Sequence, residues 1–203
     1  MGKVGKSIIG SGAEAIISKD SKIVTKDRIK KGYRHESIDS GLRKSRTNKE
    51  VKILKALETS GFVPRIMGVE NNLIKMDFID GIQLKKILDR DPKLAKLIGK
   101  NLAIMHDLNI IHGDLTTSNM ILSGKGKNRK LFFIDFGLSF VNPRVEDKAV
   151  DIHVFKQALE SKHYKIYNKA YSEFIKGYNP KNKKEVLERL NTVEQRGRYK
   201  EKT

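Results

Sequence analysis

The chain has 203 residues and a formal charge of +18, from 42 Lys and Arg against 24 Asp and Glu, with 38% hydrophobic and 33% charged residues. That is enough chain for one domain or two small lobes with a packed core, and too apolar a composition for disorder. The absence of cysteine excludes disulfides, zinc–thiolate centres and cysteine nucleophiles. No stretch is long and apolar enough for a membrane span. The basic start MGKVGKSIIGSGAEAII has no apolar signal core, and Lys6 stands where a myristoylation pattern needs Ser or Thr. The expectation is a cytoplasmic protein that is not attached to a membrane and whose charge favours polyanionic partners.

Apolar pairs at Ile8–Ile9 and Ile16–Ile17 flank a turn of small residues and, with residues 22–26, predict an antiparallel β start. Residues 27–39 are polar and basic and read as a loop. From Ser40 to Glu58, Leu42, Val51, Leu54 and Leu57 recur at helical spacing, with Ser40 as the cap and Gly61 and Pro64 as the stop. Strands are predicted at residues 65–69 and 73–78, and Asp80-Gly81 is a turn where we place a boundary between domains 1–80 and 81–203. Helices are predicted over 83–90 and 92–108, the second with Leu94, Ile98, Leu102 and Met105 on one face. Two strands, 120–122 and 130–134, surround the turn SGKGKN, and three helices run from Glu146 to near Glu194. Most of the charge is concentrated in three stretches, 19–55, 123–130 and 181–203, which predicts a polyanion partner.

Three motifs carry chemistry. Asp114 and Asn119 lie in HGDLTTSN, and Asp135 lies in IDFG. Phosphoryl transfer needs a carboxylate to orient the attacking oxygen and oxygen ligands for Mg²⁺. D-x-x-x-x-N followed by D-F-G supplies these, with Asp114 at the nucleophile and Asn119 and Asp135 on metal. Lys26 closes the apolar run Ile23-Val24-Thr25, where a lysine reaches the α and β phosphates of ATP, and Glu50 on the following helix is its expected partner. Ile9-Gly10-Ser11-Gly12-Ala13-Glu14-Ala15-Ile16-Ile17 fits a phosphate-covering loop, with Ala15 in place of the third glycine and Ile17 in place of the valine. By contrast, Gly5-Lys6-Ser7 lacks the leading strand and first glycine of a P-loop and is set aside. His112 is read as a packing residue. Asp151, early in a helix, is read either as helix-terminus charge compensation or as an acceptor for backbone N–H groups of the catalytic loop.

Together these residues resemble the protein-kinase superfamily. The segments VTKDRIKKGYRHESID, RTNKE, VEDKAVD and the tail RGR at 196–198 narrow the resemblance to the small atypical kinases of the KEOPS complex, relatives of the RIO kinases. That resemblance implies an α+β, bilobal protein-kinase-like fold with a small β-rich N-lobe and a minimal, mostly helical C-lobe. It implies ATP and Mg²⁺ as cofactors, Ser/Thr autophosphorylation or ATP hydrolysis, and a role in threonylcarbamoyladenosine modification of tRNA. The implied partners are the tRNA threonylcarbamoyltransferase subunit, a small kinase-binding subunit and tRNA itself, which the basic tail (Arg196, Arg198, Lys200) would contact. The nucleotide is expected at the loop Gly10, Gly12, Ala13, Glu14, Ala15, at Lys26 and Glu50, and between the lobes against a hinge of Met76, Asp77, Phe78 and Ile79.

Two departures from ordinary protein kinases matter. The arginine that pairs with a phosphorylated activation loop is replaced by Gly113, and only about a dozen residues separate Asp135 from the next helix, with no A-P-E motif. Conventional peptide phosphorylation is therefore a poorer expectation than autophosphorylation or ATP hydrolysis. Aminoglycoside- or choline-type phosphotransferases share the HGD and D-x-G loops, but a cationic substrate suits a +18 chain badly. A non-catalytic ATP-binding scaffold for tRNA docking is the other alternative.

Overall fold

The computed structural model describes residues 7–12 and 14–200, with the side chains of 127 and 197–200 left aside. The chain forms two compact units, Met1–Asp80 and Gly81–Thr203.

The first unit is an antiparallel sheet with one long helix. Its strands are β1 (Ser7–Ser11), β2 (Ala15–Asp20), β3 (Ile23–Arg28), β4 (Ile66–Glu70) and β5 (Leu73–Asp77), in the order β1-β2-β3-β5-β4. Helix α1 (Glu36–Leu57) packs on β4 and β5, and Ile53, Leu54 and Leu57 are buried, as are Ile74 and Met76 of β5. Side chains alternate across a strand. On β3 this puts Lys26 and Arg28 on the buried face, while Asp27 between them is exposed. The helix starts at Glu36, not Ser40, so part of the predicted loop 27–39 is helix and residues 27–28 are strand. The earlier start has a physical cause. Glu36 and Asp39 sit in the first turn, where a helix favours negative charge. The buried Asp39 carboxylate also accepts the Lys31 N–H at 3.2 Å. Gly61, left-handed at φ 71°, ends a short 3-10 extension over Glu58–Ser60.

The second unit is mostly helical. Its strands are β6 (Ile82–Gln83), β7 (Ile110–Ile111), β8 (Met120–Ser123), β9 (Lys130–Phe133) and β10 (Phe140–Val141); its helices are α2 (Ala95–Asp107), α3 (Val145–Lys162), α4 (Tyr167–Gly177) and α5 (Lys183–Lys200). The hairpin β8–β9 extends through β6, and β7 pairs with β10. The predicted helix over 83–90 is instead a 3-10 turn, Leu84–Lys86, followed by tight turns. Bonds such as Ile87 N–H to the Leu84 carbonyl and Arg90 N–H to the Ile87 carbonyl, both 3.0 Å, hold it. Pro92 forces Asp91 into an extended backbone (φ −139°, ψ 78°), so a continuous helix into α2 is impossible. The last helix runs on to Lys200, beyond the predicted end. Helices α2 and α4 cross at two glycines. A Cβ on Gly99 would lie 2.1 Å from the Phe174 carbonyl oxygen, and one on Gly177 would lie 2.0 Å from that of Lys96, so the backbones meet where only glycine fits.

Candidate active site

In the first unit, Glu50 lies between two cations. Lys26 Nζ is 2.7 Å from Glu50 Oε1, and Arg28 Nη2 is 2.5 Å from Oε2. All three residues are buried, the least so only 6% exposed. The β3 alternation presents both cations to one face, and Glu50 stands on the same side of α1 as Ile53, Leu54 and Leu57. About three turns toward the helix start, buried Asp39 pairs with Arg43 at 2.6 Å and Arg34 at 3.8 Å. Burial alone would raise the Asp39 carboxyl. The bonds from Arg43 and the Lys31 amide outweigh that and hold it below the usual carboxylate range.

Strands β1 and β2 pair antiparallel, and Gly12 N–H donates to the Ala15 carbonyl at 3.1 Å. A Cβ on Gly10 would meet only ordinary contacts with Ile17 at 3.6 Å, and one on Gly12 nothing nearer than 3.9 Å. Local packing therefore does not require these glycines. The Glu14 carboxylate pairs with Arg46 of α1, and the Arg46 hydrogen bond holds it below its usual range. Ala15 is buried in register with Arg28. Ala13 lies outside the described residues. At the end of β5, Met76 is buried, Arg65 reaches the Asp77 carboxylate at 3.3 Å, and Phe78 N–H donates to the Lys22 carbonyl at 2.8 Å. Lys19 Nζ sits 3.5 Å over the Phe78 ring, and Ile79 is half-buried.

In the second unit, Asn119 Nδ2 donates to both the Asp114 carbonyl (2.9 Å) and Asp114 Oδ2 (2.8 Å). With its nitrogen so occupied, the amide turns its Oδ1 away from Asp114. Asp135 is exposed and left-handed at φ 62°, and Gly137 N–H approaches its Oδ1 at 3.4 Å. Two features tie the Asp114 and Asp135 loops together. Strand β7 pairs with β10, and Ile134 N–H donates to the Asn119 carbonyl at 2.9 Å.

Asp151 of α3 is buried and accepts the backbone N–H groups of His112 (2.7 Å) and Gly113 (2.9 Å). His106 Nε2 stands 3.3 Å from the same carboxylate, and its Nδ1 is 2.7 Å from the Tyr178 hydroxyl. Burial alone would raise the Asp151 carboxyl, but the His106 and backbone hydrogen bonds hold it below the usual range. Gly113 has φ 79°, and a Cβ there would lie 2.5 Å from the Leu138 carbonyl oxygen. The missing kinase arginine therefore has no room in this loop. His112 is buried against the rings of Phe133 and Phe136 (5.9 and 5.0 Å), and burial pushes its pKa down so that the ring is neutral.

Arg196 is engaged within its own unit, 3.2 Å from Glu146 Oε1, and Arg189 pairs with Oε2 of the same residue. The side chains of Arg198 and Lys200 lie outside those described. Several residues of these networks escaped the sequence reading. Arg28 is a second partner for Glu50, and alternation with Lys26 was its available signal. His106, Tyr178, Thr117 and His163 are far apart in sequence and gave none. Among the described residues no three His, Asp or Glu side chains gather as a metal cage, and no helix is long and apolar enough to cross a membrane.

The RIO domain profile matches residues 12–148. The chain is 39% identical to the KEOPS complex subunit Bud32 of Pyrococcus abyssi over 90% of this chain and 86% of that one. It is also 39% identical to the EKC/KEOPS complex subunit BUD32 of Encephalitozoon cuniculi over 94% of both chains. A probable bifunctional tRNA threonylcarbamoyladenosine biosynthesis protein of Methanobrevibacter smithii is 41% identical over 97% of this chain, which spans 37% of that longer protein. Among solved structures, the Rio2 kinase–ADP/Mg²⁺–phosphoaspartate complex of Chaetomium thermophilum superposes with a TM-score of 0.66 at 19% identity, over 98% of this chain and 72% of that one. The fold is thus that of Rio2, and the chain belongs to the RIO domain family, in the group of the KEOPS complex subunit Bud32.

Proposed function

We propose that this protein is an atypical Mg²⁺- and ATP-dependent Ser/Thr kinase or ATPase that serves, as a cytoplasmic KEOPS subunit, the threonylcarbamoyladenosine modification of tRNA. The observation that carries the reading is the Asp114–Asn119 pair on a loop whose backbone N–H groups are held by a buried carboxylate. Asp114 is the residue that orients the acceptor hydroxyl or water. Asn119 Oδ1 and the Asp135 carboxylate are hard oxygen donors of the kind Mg²⁺ takes. Mg²⁺ is commonly held by one or two carboxylates plus phosphate oxygens and water, which suits a chain with no preassembled cage among its described residues. When bound, Mg-ATP supplies the transferable phosphoryl group and neutralises its charge.

Lys26, oriented by Glu50, engages the α and β phosphates. Gly10 and Gly12, which their own fold does not require to be glycine, let backbone approach phosphate closely. Glu14, Ala13 and Ala15 complete that loop, and Met76–Ile79 take the base. Arg196, Arg198 and Lys200 supply phosphate contacts to tRNA; Arg196 must exchange Glu146 for them. The KEOPS membership of the Bud32 relatives supports the partner assignment.

The test is to incubate the purified protein with Mg-ATP and record intact mass and ADP release beside Asp114→Asn and Asp135→Ala. Either variant should lose about a hundredfold or more of the turnover. Wild-type turnover in both would remove the assignment. Modification of tRNA by the assembled complex, with and without Asp114→Asn, then separates a catalytic subunit from a scaffold.

A further inference from the structure

Between Asp114 and Asn119 the loop makes one 3-10 turn, Thr117–Asn119. The Thr117 side chain points inward and is 1% exposed. Its hydroxyl lies 3.0 Å from His163 Nε2, and His163 Nδ1 lies 2.7 Å from Asp89 Oδ1. His163 is itself 2% exposed and sits at the end of α3, where its N–H closes on the Leu159 carbonyl at 2.8 Å. The polarity of the chain follows from its far end. The Asp89 carboxylate accepts, so Nδ1 carries the hydrogen, and in the neutral ring Nε2 then accepts the Thr117 O–H. Gln83 Nε2, 3.4 Å from the Ser118 carbonyl, approaches the next residue of the same turn.

We infer that His163, oriented by Asp89, is a positioning residue that fixes the Thr117 turn and thereby sets Asn119 against Asp114. The inference rests on the proposed phosphotransfer or ATPase chemistry. The hydroxyl–imidazole–carboxylate arrangement is the geometry that activates nucleophiles. Here the hydroxyl is sealed from solvent, so the histidine holds the turn and moves no proton to substrate. Thr117 offers, among the described residues, a buried side-chain tether that ties the short segment between the two proposed site side chains to the α3 end. Losing it frees a turn whose slack of even 1 Å reaches Asn119 directly.

The experiment is a double-mutant cycle on Thr117→Val and His163→Ala, with ADP release and ATP-analogue affinity measured on each. Each single variant should lower kcat by about tenfold or more while analogue affinity stays within about twofold, since the predicted phosphate residues Lys26 and Glu50 are untouched. The double variant should fall no further than the worse single. Thr117→Ser, which keeps the hydroxyl, should restore most of the loss. Asp89→Ala, whose side chain is 59% exposed and whose loss opens no cavity, should move kcat the same way by about threefold. Wild-type kcat in Thr117→Val, or losses that multiply in the double variant, would overturn the inference.

Amide hydrogen exchange at residues 115–120 keeps the inference distinct from the functional reading. If the wild-type chain shows no Asp114-dependent turnover, the functional reading fails. The positioning role is then decided by exchange alone. Faster exchange in this turn for Thr117→Val, Asp89→Ala and His163→Ala sustains it, and unchanged exchange ends it.

Discussion

The two units secure their proposed site side chains by different means. In the first, charge answers charge: Glu50 is clamped by Lys26 and Arg28, and Asp39 by Arg43 and Arg34. In the second, charge answers backbone: Asp151 accepts two consecutive loop N–H groups, and Asn119 donates to a carbonyl and a carboxylate of Asp114. A clamp made of side chains survives modest backbone shifts, because long side chains can follow. A clamp made on the backbone fixes φ and ψ themselves, and it coexists with left-handed residues at Gly113 and Asp135. In the proposed function, the first arrangement would grip a phosphate chain, and the second would hold a nucleophile and metal ligands in strict register.

The largest effect is expected of Glu50→Gln. It removes the carboxylate charge that Lys26 and Arg28 share and should destabilise the protein by about 3–5 kcal/mol in urea unfolding. A loss under about 1 kcal/mol would mean the cluster is solvated and the clamp is not electrostatic. Next comes Gly113→Ala. The left-handed backbone and the Leu138 carbonyl 2.5 Å from the new Cβ predict a loss of about 2–4 kcal/mol. A neutral result would show that the loop shifts freely.

Acid titration reports on the buried charges of the second unit. His112 and Asp151 both have folded pKa values below their ordinary 6.5 and 3.8. The unfolded chain therefore binds protons first. Stability present above pH 6.5 should be lost as pH falls, with a slope of up to about 1.4 kcal/mol per pH unit from His112 alone, and should decline again below pH 3.8 as Asp151 is titrated. Melting temperatures from pH 8 to pH 3 give the profile, and His112→Gln should flatten its upper part. The smallest effect belongs to Gly10→Ala in the first unit. Its Cβ meets only Ile17 at 3.6 Å, so stability should change by under about 0.5 kcal/mol. If the loop covers phosphate, KM for ATP should rise nonetheless.

Much of the β-rich first unit was readable from composition and period. The apolar pairs Ile8–Ile9 and Ile16–Ile17 about a small-residue turn placed the start of the sheet, and the helical spacing of Leu54 and Leu57 placed α1, because both patterns report burial on one face. The helix start was misread because Asp39 is anchored by the Lys31 amide and by Arg43 and Arg34, and Ser40 looked like the better cap from local propensity alone. The 83–90 segment was misread as helix because its apolar spacing is helical, while Pro92 and the packing of Leu84 and Leu88 select tight turns.

The candidate residues Lys26, Glu50, Asp114, Asn119 and Asp135 are legible from residue type and spacing alone, because the proposed phosphate and Mg²⁺ chemistry accepts few side chains. What holds them is legible only in the folded chain. Arg28 on Glu50, His106 and Tyr178 behind Asp151, and His163 on Thr117 are partners 22 to 72 residues apart. No local pattern records such pairs. They form because a buried polar group must find a partner wherever folding brings one, and the chain's path through the core determines which one it meets.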